Sequence, residues 1–375
     1  MNKLLVTAKE NDLIGVLYED GKAVRLSRTP EGEDFGFGDV FRARVQNVSK
    51  GLSSAFLDLG GGQNAYLNTG GRPVKAGQEL TVQISQEALG SKLPTVTDRI
   101  SLPGEYLVLT DEPGSLAFSR RAEFSGMRRE EINELLLPFM EQNGFILRTA
   151  AENAPDEALV KEAEALTAAY RQLMQKAEYS PAPAKIAAGQ PVWLEWLQGL
   201  DKAGLQEVIT DIPSVYEGLS AYFARTGLPA EKLRLYSDPM ITLGQLVSLE
   251  KTLAEAGGRK VWLDSGAYLI IERTEAMTVI DVNSGKDEKD AKSLQAAEAI
   301  NREAAREIAR QLLLRNMSGM IMIDFINMKR KGAEAELLDA MRELTEPDPV
   351  YVKVLDITPL GIMELTRRRI RRPYA

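Results

Sequence analysis

Two apolar segments in the last third of the chain end in the same way, and they constrain its fold more than any other feature. MTVIDVNSG holds an apolar run that ends in Asp281, and GMIMIDFINM holds a second that ends in Asp324. The 43-residue step between these aspartates contains one long helical segment, enough for a crossover to a parallel neighbouring strand. We therefore predict that both aspartates lie side by side at the carboxyl ends of adjacent strands, where α/β sheets bind ligands.

Asn283 follows Asp281 by two residues, so in an extended strand both side chains lie on one face. Two close carboxylates repel each other and therefore share a proton or hold a cation. A cation held by oxygen ligands would be Mg²⁺ or Mn²⁺, and it would assist hydrolysis of a phosphodiester. The alternative is that each aspartate simply caps the loop or helix after its strand.

The composition limits the chemistry further. The chain has no cysteine and no histidine, which excludes thiol nucleophiles, imidazole bases and the usual zinc ligands. The net charge of −8 disfavours nucleic acid as a partner overall, but local basic patches decide RNA contact. Because the sequence shows neither a signal peptide nor a long apolar span, we expect a cytoplasmic protein that contacts no membrane.

The order of predicted elements indicates an α/β protein with several domains. Residues 1–36 resemble an opening meander of three strands, and residues 37–113 form short strands with glycine-rich turns, which is typical of an OB-fold barrel. Residues 114–192 are predicted to hold two helices, REEINELLLPFMEQ and EALVKEAEALTAAYRQLMQKAE, with the strand GFILRTA between them. Strands and helices alternate from about 258, and the chain is predicted to end in a helical tail.

Four segments of the chain resemble the catalytic region of the ribonuclease E/G family in order and spacing. They are YLIIERTEAMTVIDVNSG, NREAAREIARQLLLR, GMIMIDFINM and ITPLGIMELTRRR. The resemblance implies an endoribonuclease that cuts single-stranded, A/U-rich RNA and leaves a 5′-phosphate. It also implies that Asp281, Asn283 and Asp324 form the active site and that the two aspartates bind Mg²⁺.

The family's architecture implies a division of the chain into five parts. An RNase H-like subdomain would be formed by 1–36 and 193–257, with an OB-fold RNA-binding barrel at 37–113 and a 5′-sensor at 114–192 inserted between them. A DNase I-like catalytic subdomain would follow at 258–375. The three strands of the opening meander are too few for a complete domain, and this division would explain why, because residues 193–257 would complete it.

The resemblance also implies RNA-binding residues outside the catalytic region. Phe56 and Tyr66 match the barrel's surface aromatics, on which bases stack, although Phe56 would suit the barrel core equally well. Arg148 and Thr149 match a pair that holds the RNA's 5′-monophosphate, with Arg120 and Arg121 in a nearby family-like segment.

Three departures from the family pattern affect these expectations. In the long members of the family, a zinc ion bound by a pair of cysteines links two subunits. This chain has no cysteine, so we expect a short form that binds no zinc and forms no zinc-linked dimer. Its oligomeric state stays open. Asn327 stands where the family has a further acidic residue. Family glycines near the 5′-sensor are replaced by Leu116, Ala117, Phe118 and Ala151, which puts 5′-end sensing in doubt. A non-catalytic RNA-binding or ribosome-associated factor is the rival hypothesis, and a phosphodiesterase acting on DNA or a small nucleotide is a third.

Overall fold

The computed structural model describes residues 1–30, 32, 35–49, 51, 53–285 and 294–374. The chain forms two compact units, one made of Met1–Glu31 with Leu200–Ala375 and the other of Gly32–Gly199. Within the described residues, no helix has the length and apolar character needed to cross a membrane. The division into five named subdomains stays a prediction, as do the RNase H-like and DNase I-like assignments.

The first unit opens with the predicted meander of three antiparallel strands. These are β1 (Asn2–Lys9), β2 (Asp12–Glu19) and β3 (Lys22–Pro30). Apolar residues in the middle of each strand are buried, Leu4 and Leu5 completely, so the prediction of three strands with a turn near Asp20 and Gly21 is confirmed.

The second unit begins with a closed barrel. Its strands are β4 (Val40–Ser49), β5 (Ser54–Asp58), β6 (Asn64–Asn68), β7 (Glu79–Gln86) and β8 (Thr95–Thr97). They pair in the order β4-β5-β6-β8-β7, and β7 returns to β4. Alternate residues such as Ala55 and Leu57 fill the interior. Five strands closed in this way are consistent with the predicted OB-fold.

A second sheet and three helices complete this unit. The strands of the second sheet are β9 (Ser101–Pro103), β10 (Leu107–Thr110), β11 (Leu116–Phe118) and β12 (Gly144–Leu147), and a further strand, β13 (Ala184–Ala187), lies outside it. The helices are α1 (Gly126–Leu136), α2 (Asp156–Tyr179) and α3 (Val192–Gly199). Although β9 and β10 fall in the range predicted for the barrel, they pair with β11 and β12 in the order β11-β12-β10-β9. Strand β13 was not predicted, and it pairs with barrel strand β4.

The chain then returns to the first unit. The next elements are β14 (Leu205–Thr210), α4 (Pro213–Thr226), β15 (Leu233–Leu235), α5 (Leu243–Leu246) and α6 (Leu249–Gly257). Strand β14 pairs in parallel with β1, so the meander becomes part of a five-stranded sheet ordered β15-β14-β1-β2-β3. Helix α4 begins at Pro213 and ends before Gly227, which has the left-handed conformation common after a helix.

The last part of the chain forms a six-stranded sheet. Its elements are β16 (Lys260–Trp262), β17 (Tyr268–Arg273), β18 (Met277–Asn283), α7 (Leu294–Leu314), β19 (Gly319–Asp324), α8 (Ala333–Thr345), β20 (Val352–Ile357) and β21 (Ile362–Arg367). The strand order is β16-β17-β18-β19-β21-β20. The predicted alternation of strands and helices is confirmed; the first residues of the helix predicted at 290–314 lie outside the described part of the chain.

The predicted helical tail is wrong. Residues Ile362–Arg367 form strand β21, which pairs with β19 on one side and β20 on the other. Met363 and Leu365 point into the core, where fully burying such a side chain contributes about 1.5–3 kcal/mol. The two-residue alternation of buried side chains, rather than helix propensity, decides the structure of this segment.

Candidate active site

Asp281 and Asp324 are direct neighbours in the six-stranded sheet. Strands β18 and β19 run parallel, and their register pairs Asp281 with Asp324. Both aspartates are exposed and stand near the carboxyl ends of their strands. The predicted juxtaposition of the two aspartates is therefore present in the fold.

The alternation of side chains along β18 and β19 explains why both carboxylates face outward. Ile280 and Ile323, the residues just before the aspartates, are completely buried against helices α7 and α8. Because successive residues of a strand point to opposite faces, burying the isoleucines turns the aspartates to the open face of the sheet. A shift of one residue in register would place these charges in the core.

Asn283 orients one of the two carboxylates. Its Nδ2 donates a hydrogen bond of 2.8 Å to Oδ2 of Asp281, as expected for positions i and i+2 on one face of a strand. The contact leaves Oδ1 of Asp281 directed to other partners, and it limits rotation of the carboxylate. Asn283 therefore belongs to the same cluster of side chains.

A buried asparagine in helix α7 holds the loop that follows Asp324. Asn301 is completely buried, and its side chain both donates to Ile326 O (2.7 Å) and accepts from Ile326 N (3.0 Å). An unpaired amide at this depth would cost about 1–3 kcal/mol, so the two bonds fix the backbone two residues beyond Asp324. Among the described side chains of α7, Asn301 is one of two completely buried polar residues, with Gln311, and it was not singled out from the sequence.

Gly285 lets the chain after Asn283 pass close to the neighbouring hairpin. Its φ is +81°, and a Cβ at this position would lie 2.5 Å from Gly266 O. Only glycine combines the left-handed backbone with so close an approach. The backbone at Gly285, two residues after Asn283, is therefore fixed by close packing against Gly266.

A cluster of ion pairs is centred on Arg330, six residues after Asp324 in the sequence. Arg330 is bound by the carboxylates of Glu336 and Glu298, and these hydrogen bonds raise the pKa of Arg330 above its usual value. Within the described residues, no lysine or arginine forms an ion pair with Asp281 or Asp324. The two aspartates are thus free to meet a cation from solution.

The number of acidic ligands at the site is small. Over the described ranges, no group of three or more acidic side chains converges in a way that would hold a metal ion. Asn327, which replaces a family acid, is exposed and contributes no charge. Asp281 and Asp324 are the two carboxylates that the strand register places directly opposite each other on this face.

The barrel carries an aromatic pair on its outer surface. Phe56 and Tyr66 are directly opposite each other on β5 and β6, with ring centroids 6.0 Å apart and planes at 70°. Phe56 is 36% exposed, whereas its neighbours Ala55 and Leu57 are completely buried. The alternative that Phe56 belongs to the barrel core is therefore wrong.

The contacts of the predicted 5′-sensor residues differ from one residue to the next. The Arg148 guanidinium donates from Nη1 to Gly104 O and to Gln198 Oε1 (2.9 Å), which occupies that nitrogen within the protein. The exposed hydroxyls of Thr149 and Ser119 lie 3.0 Å apart. Arg120 and Arg121 are exposed nearby in sequence. The structure thus brings Thr149 to Ser119, while Arg148 Nη1 is bonded to the Gly104 carbonyl and the Gln198 side chain.

Comparison with known proteins gives consistent matches. The Ribonuclease E/G family model matches residues 101–370. Ribonuclease G of Haemophilus influenzae is 30% identical over 98% of this chain and 80% of its own length. Ribonuclease G of Salmonella typhimurium is 31% identical over 89% of this chain and 73% of its own length. Ribonuclease E of Escherichia coli is 30% identical over 99% of this chain, which spans 37% of that longer protein.

The family match covers the strands that carry Asp281, Asn283 and Asp324, and relatives match almost the whole chain. Similarity over this length includes both compact units and is not limited to a single motif. The chain belongs to the ribonuclease E/G family.

Proposed function

We propose that this chain is an endoribonuclease that hydrolyses phosphodiester bonds of single-stranded RNA during RNA processing or decay, with Asp281 and Asp324 at its active site. The observation that carries the proposal is the register of β18 and β19, which pairs the two exposed aspartates on one open face. Names of the relatives, ribonuclease G and ribonuclease E, support RNA as the substrate.

The residues present fit a hard divalent cation. Mg²⁺ is commonly bound by one or two carboxylates and keeps several waters, so a two-aspartate site without nitrogen or sulfur ligands suits Mg²⁺ or Mn²⁺. Asp281 and Asp324 would hold it. When bound, such a cation polarises the phosphate and lowers the pKa of water.

The protein's own groups prepare the site for that chemistry. Asn283 fixes the orientation of the Asp281 carboxylate, and Asn301 fixes the backbone just after Asp324. The open sheet face gives a phosphate access to both aspartates. In the hydrolysis, a water oxygen joins phosphorus while the 3′ oxygen leaves and takes a proton, so the products are a 5′-phosphate and a 3′-hydroxyl.

RNA binding outside the aspartate pair is proposed for the barrel. Phe56 and Tyr66 present a half-exposed aromatic surface, and stacking a base on such a ring contributes about 1–3 kcal/mol. The pair is therefore suited to single strands, whose bases are unstacked.

The test is cleavage of a labelled single-stranded RNA with Mg²⁺, with Mg²⁺ and excess EDTA, and after Mg²⁺ is restored. We expect cleavage to fall at least about a hundredfold in EDTA, because metal assistance contributes several kcal/mol to the transition state, and to return with Mg²⁺. A base-paired duplex and a DNA of the same sequence should resist cleavage. The Asp281→Asn protein, purified in the same way, controls for contaminating nucleases.

Two other outcomes decide between the alternatives. Cleavage that persists in EDTA would show that the aspartates act without a cation. RNA that is bound but never cut, under every metal condition, would favour the non-catalytic RNA-binding factor.

We further propose that 5′-end sensing contributes little here. Because Nη1 of Arg148 is occupied by Gly104 O and Gln198, we expect Arg148→Ala to slow cleavage of 5′-monophosphorylated RNA by less than about tenfold, or 1.4 kcal/mol. RNA with a 5′-hydroxyl is the comparison substrate. A larger loss confined to the monophosphorylated RNA would restore a sensor role for Arg148.

A further inference from the structure

The outer edge of the six-stranded sheet carries an exposed aromatic cluster that the proposed chemistry does not use. We define the edge cluster as Lys260, Trp262 and Tyr268. The Trp262 and Tyr268 ring centroids are 5.3 Å apart with planes at 62°. The Lys260 ammonium lies 3.7 Å from the centre of the Trp262 ring and 3.6 Å from that of Tyr268.

This cluster is not part of the hydrophobic core. Trp262 is 62% exposed, whereas Val261, its neighbour along the strand, is buried at 5% exposure. An edge strand that needed only to bury apolar area would turn a tryptophan inward, since a buried aromatic residue covers 150–250 Å². Trp262 instead keeps most of its ring in contact with solvent.

Sheet register places the edge cluster on the same face as the aspartates. Trp262 is opposite Tyr268, and Tyr268 is opposite Asn283. In the next row, Lys260 is opposite Ile270, which is opposite Asp281. Since neighbouring strands are about 4.8 Å apart, Tyr268 lies about one strand spacing from Asn283 and Trp262 about two.

The chemistry of the cluster suits a nucleotide. Every base has an aromatic face that stacks on an indole ring without regard to sequence, and an ammonium group attracts the phosphate beside that base. The Lys260 ammonium group contacts both rings closely, and these contacts hold its positive charge at this edge of the sheet. The aspartates and Lys260 thus lie at separate positions on one face of the sheet. The negative aspartates are suited to a cation, and the positive Lys260 is suited to the phosphate of an RNA strand.

We propose that the edge cluster binds the nucleotide next to the scissile phosphate, with its base stacked on Trp262 and its phosphate near Lys260. This inference rests on the proposed function, since it assumes that RNA is cut at Asp281 and Asp324. It assigns to this face a subsite that positions single-stranded RNA within the catalytic unit itself.

The test uses a short RNA with one cleavage site and a set of variants in which a single abasic nucleotide is moved stepwise past that site. We expect Trp262→Ala to lower kcat/KM for the intact RNA by about 5- to 150-fold, the factor that corresponds to the loss of one stacked base. Trp262→Phe should retain part of the activity. In the wild-type protein, an abasic nucleotide at one position near the site should lower kcat/KM. In Trp262→Ala, the same abasic nucleotide should not lower kcat/KM further, because the two changes remove the same interaction.

Lys260→Gln supplies an independent readout. Loss of a phosphate contact should reduce the slope of the logarithm of RNA affinity against the logarithm of salt concentration by about one. Tyr351→Ala is the matched control, because Tyr351 is also an exposed aromatic residue (65%) and precedes the strand at the opposite edge of the sheet. It should leave kcat/KM and the abasic pattern unchanged.

Failure of the inference differs from failure of the proposed function. If the wild-type protein cuts RNA while Trp262→Ala cuts within about twofold of it, or shows the same abasic pattern, the edge cluster does not position RNA. A loss of rate together with a lower Tm and an unchanged abasic pattern would assign Trp262 a structural role and also overturn the inference. If the wild-type and Asp281→Asn proteins both fail to cut, the proposed function itself is wrong and the subsite falls with it.

Discussion

Asp281→Asn and Asp324→Asn are each expected to lower the rate of RNA cleavage at least about a hundredfold while leaving RNA affinity nearly unchanged. Each replacement removes one negative ligand from a pair that the register of β18 and β19 places side by side. Losing a cation ligand forfeits several kcal/mol of transition-state stabilisation, and every 1.36 kcal/mol is a factor of ten in rate. Single-turnover cleavage and filter binding of the same RNA measure the two quantities.

Glu272→Gln is the matched control for both variants. Glu272 is an exposed acid on neighbouring strand β17, where it pairs with Arg259 rather than facing a second carboxylate. It should cut RNA at the wild-type rate. Near-normal cleavage by either aspartate variant would show that the site has been assigned to the wrong residues.

Arg367→Ala is expected to destabilise the catalytic unit by roughly 3–5 kcal/mol, the usual cost of removing one partner of a buried ion pair. The side chains of Arg367 and Asp348 are 3% and 4% exposed, and they are joined by Nε to Oδ2 (2.7 Å) and Nη2 to Oδ1 (3.1 Å). Nη1 also donates to Asn316 Oδ1 and Met317 O. The variant would leave Asp348 buried opposite an apolar side chain. Urea denaturation measures the change.

Arg368→Ala is the control for this prediction, since Arg368 is the next residue and is exposed. It should change the free energy of unfolding by less than about 0.5 kcal/mol, as surface substitutions usually do. Similar stability of the two variants would contradict the buried role of Arg367. Arg367 therefore stabilises the fold through its buried contacts.

The position of the two aspartates of the candidate site was predictable from a simple pattern of apolar residues in the sequence. An apolar run ending in aspartate, repeated after one crossover helix, led to the prediction that Asp281 and Asp324 are neighbours, and their register confirms it. The same alternation predicts that Asn283 shares a face with Asp281, as their hydrogen bond shows. Local periodicity sufficed because each buried isoleucine fixes the direction of the next side chain.

Other parts depended on contacts between distant residues. The segment of strand β21 was predicted as part of a helical tail; Met363, Glu364 and Leu365 have high helix propensity, but pairing with β19 and β20 overrides it. Strand β13 was hidden in a segment rich in proline and alanine, and it forms only because barrel strand β4 offers a partner.

Side-chain environments were the least predictable feature. The sequence left Phe56 equally suited to the core or the surface, and only the closure of the barrel places it outside. The partners of Arg148 Nη1 are 44 and 50 residues away, so no local pattern shows that this nitrogen is occupied. The edge cluster likewise depends on a hairpin that brings Trp262 opposite Tyr268.

The most direct test of the central claim is the metal preference of Asp324→Cys, measured as the cleavage rate in Mg²⁺ and in a softer cation such as Cd²⁺. The chain has no other cysteine, so a thiolate would be introduced at this position alone. Because thiolates favour softer cations than Mg²⁺, we predict that Asp324→Cys is inactive in Mg²⁺ and regains activity in Cd²⁺, while the wild-type protein prefers Mg²⁺. Wild-type cleavage by Asp324→Cys in Mg²⁺, or an unchanged order of metals, would contradict the claim that Asp324 holds the cation that assists RNA cleavage.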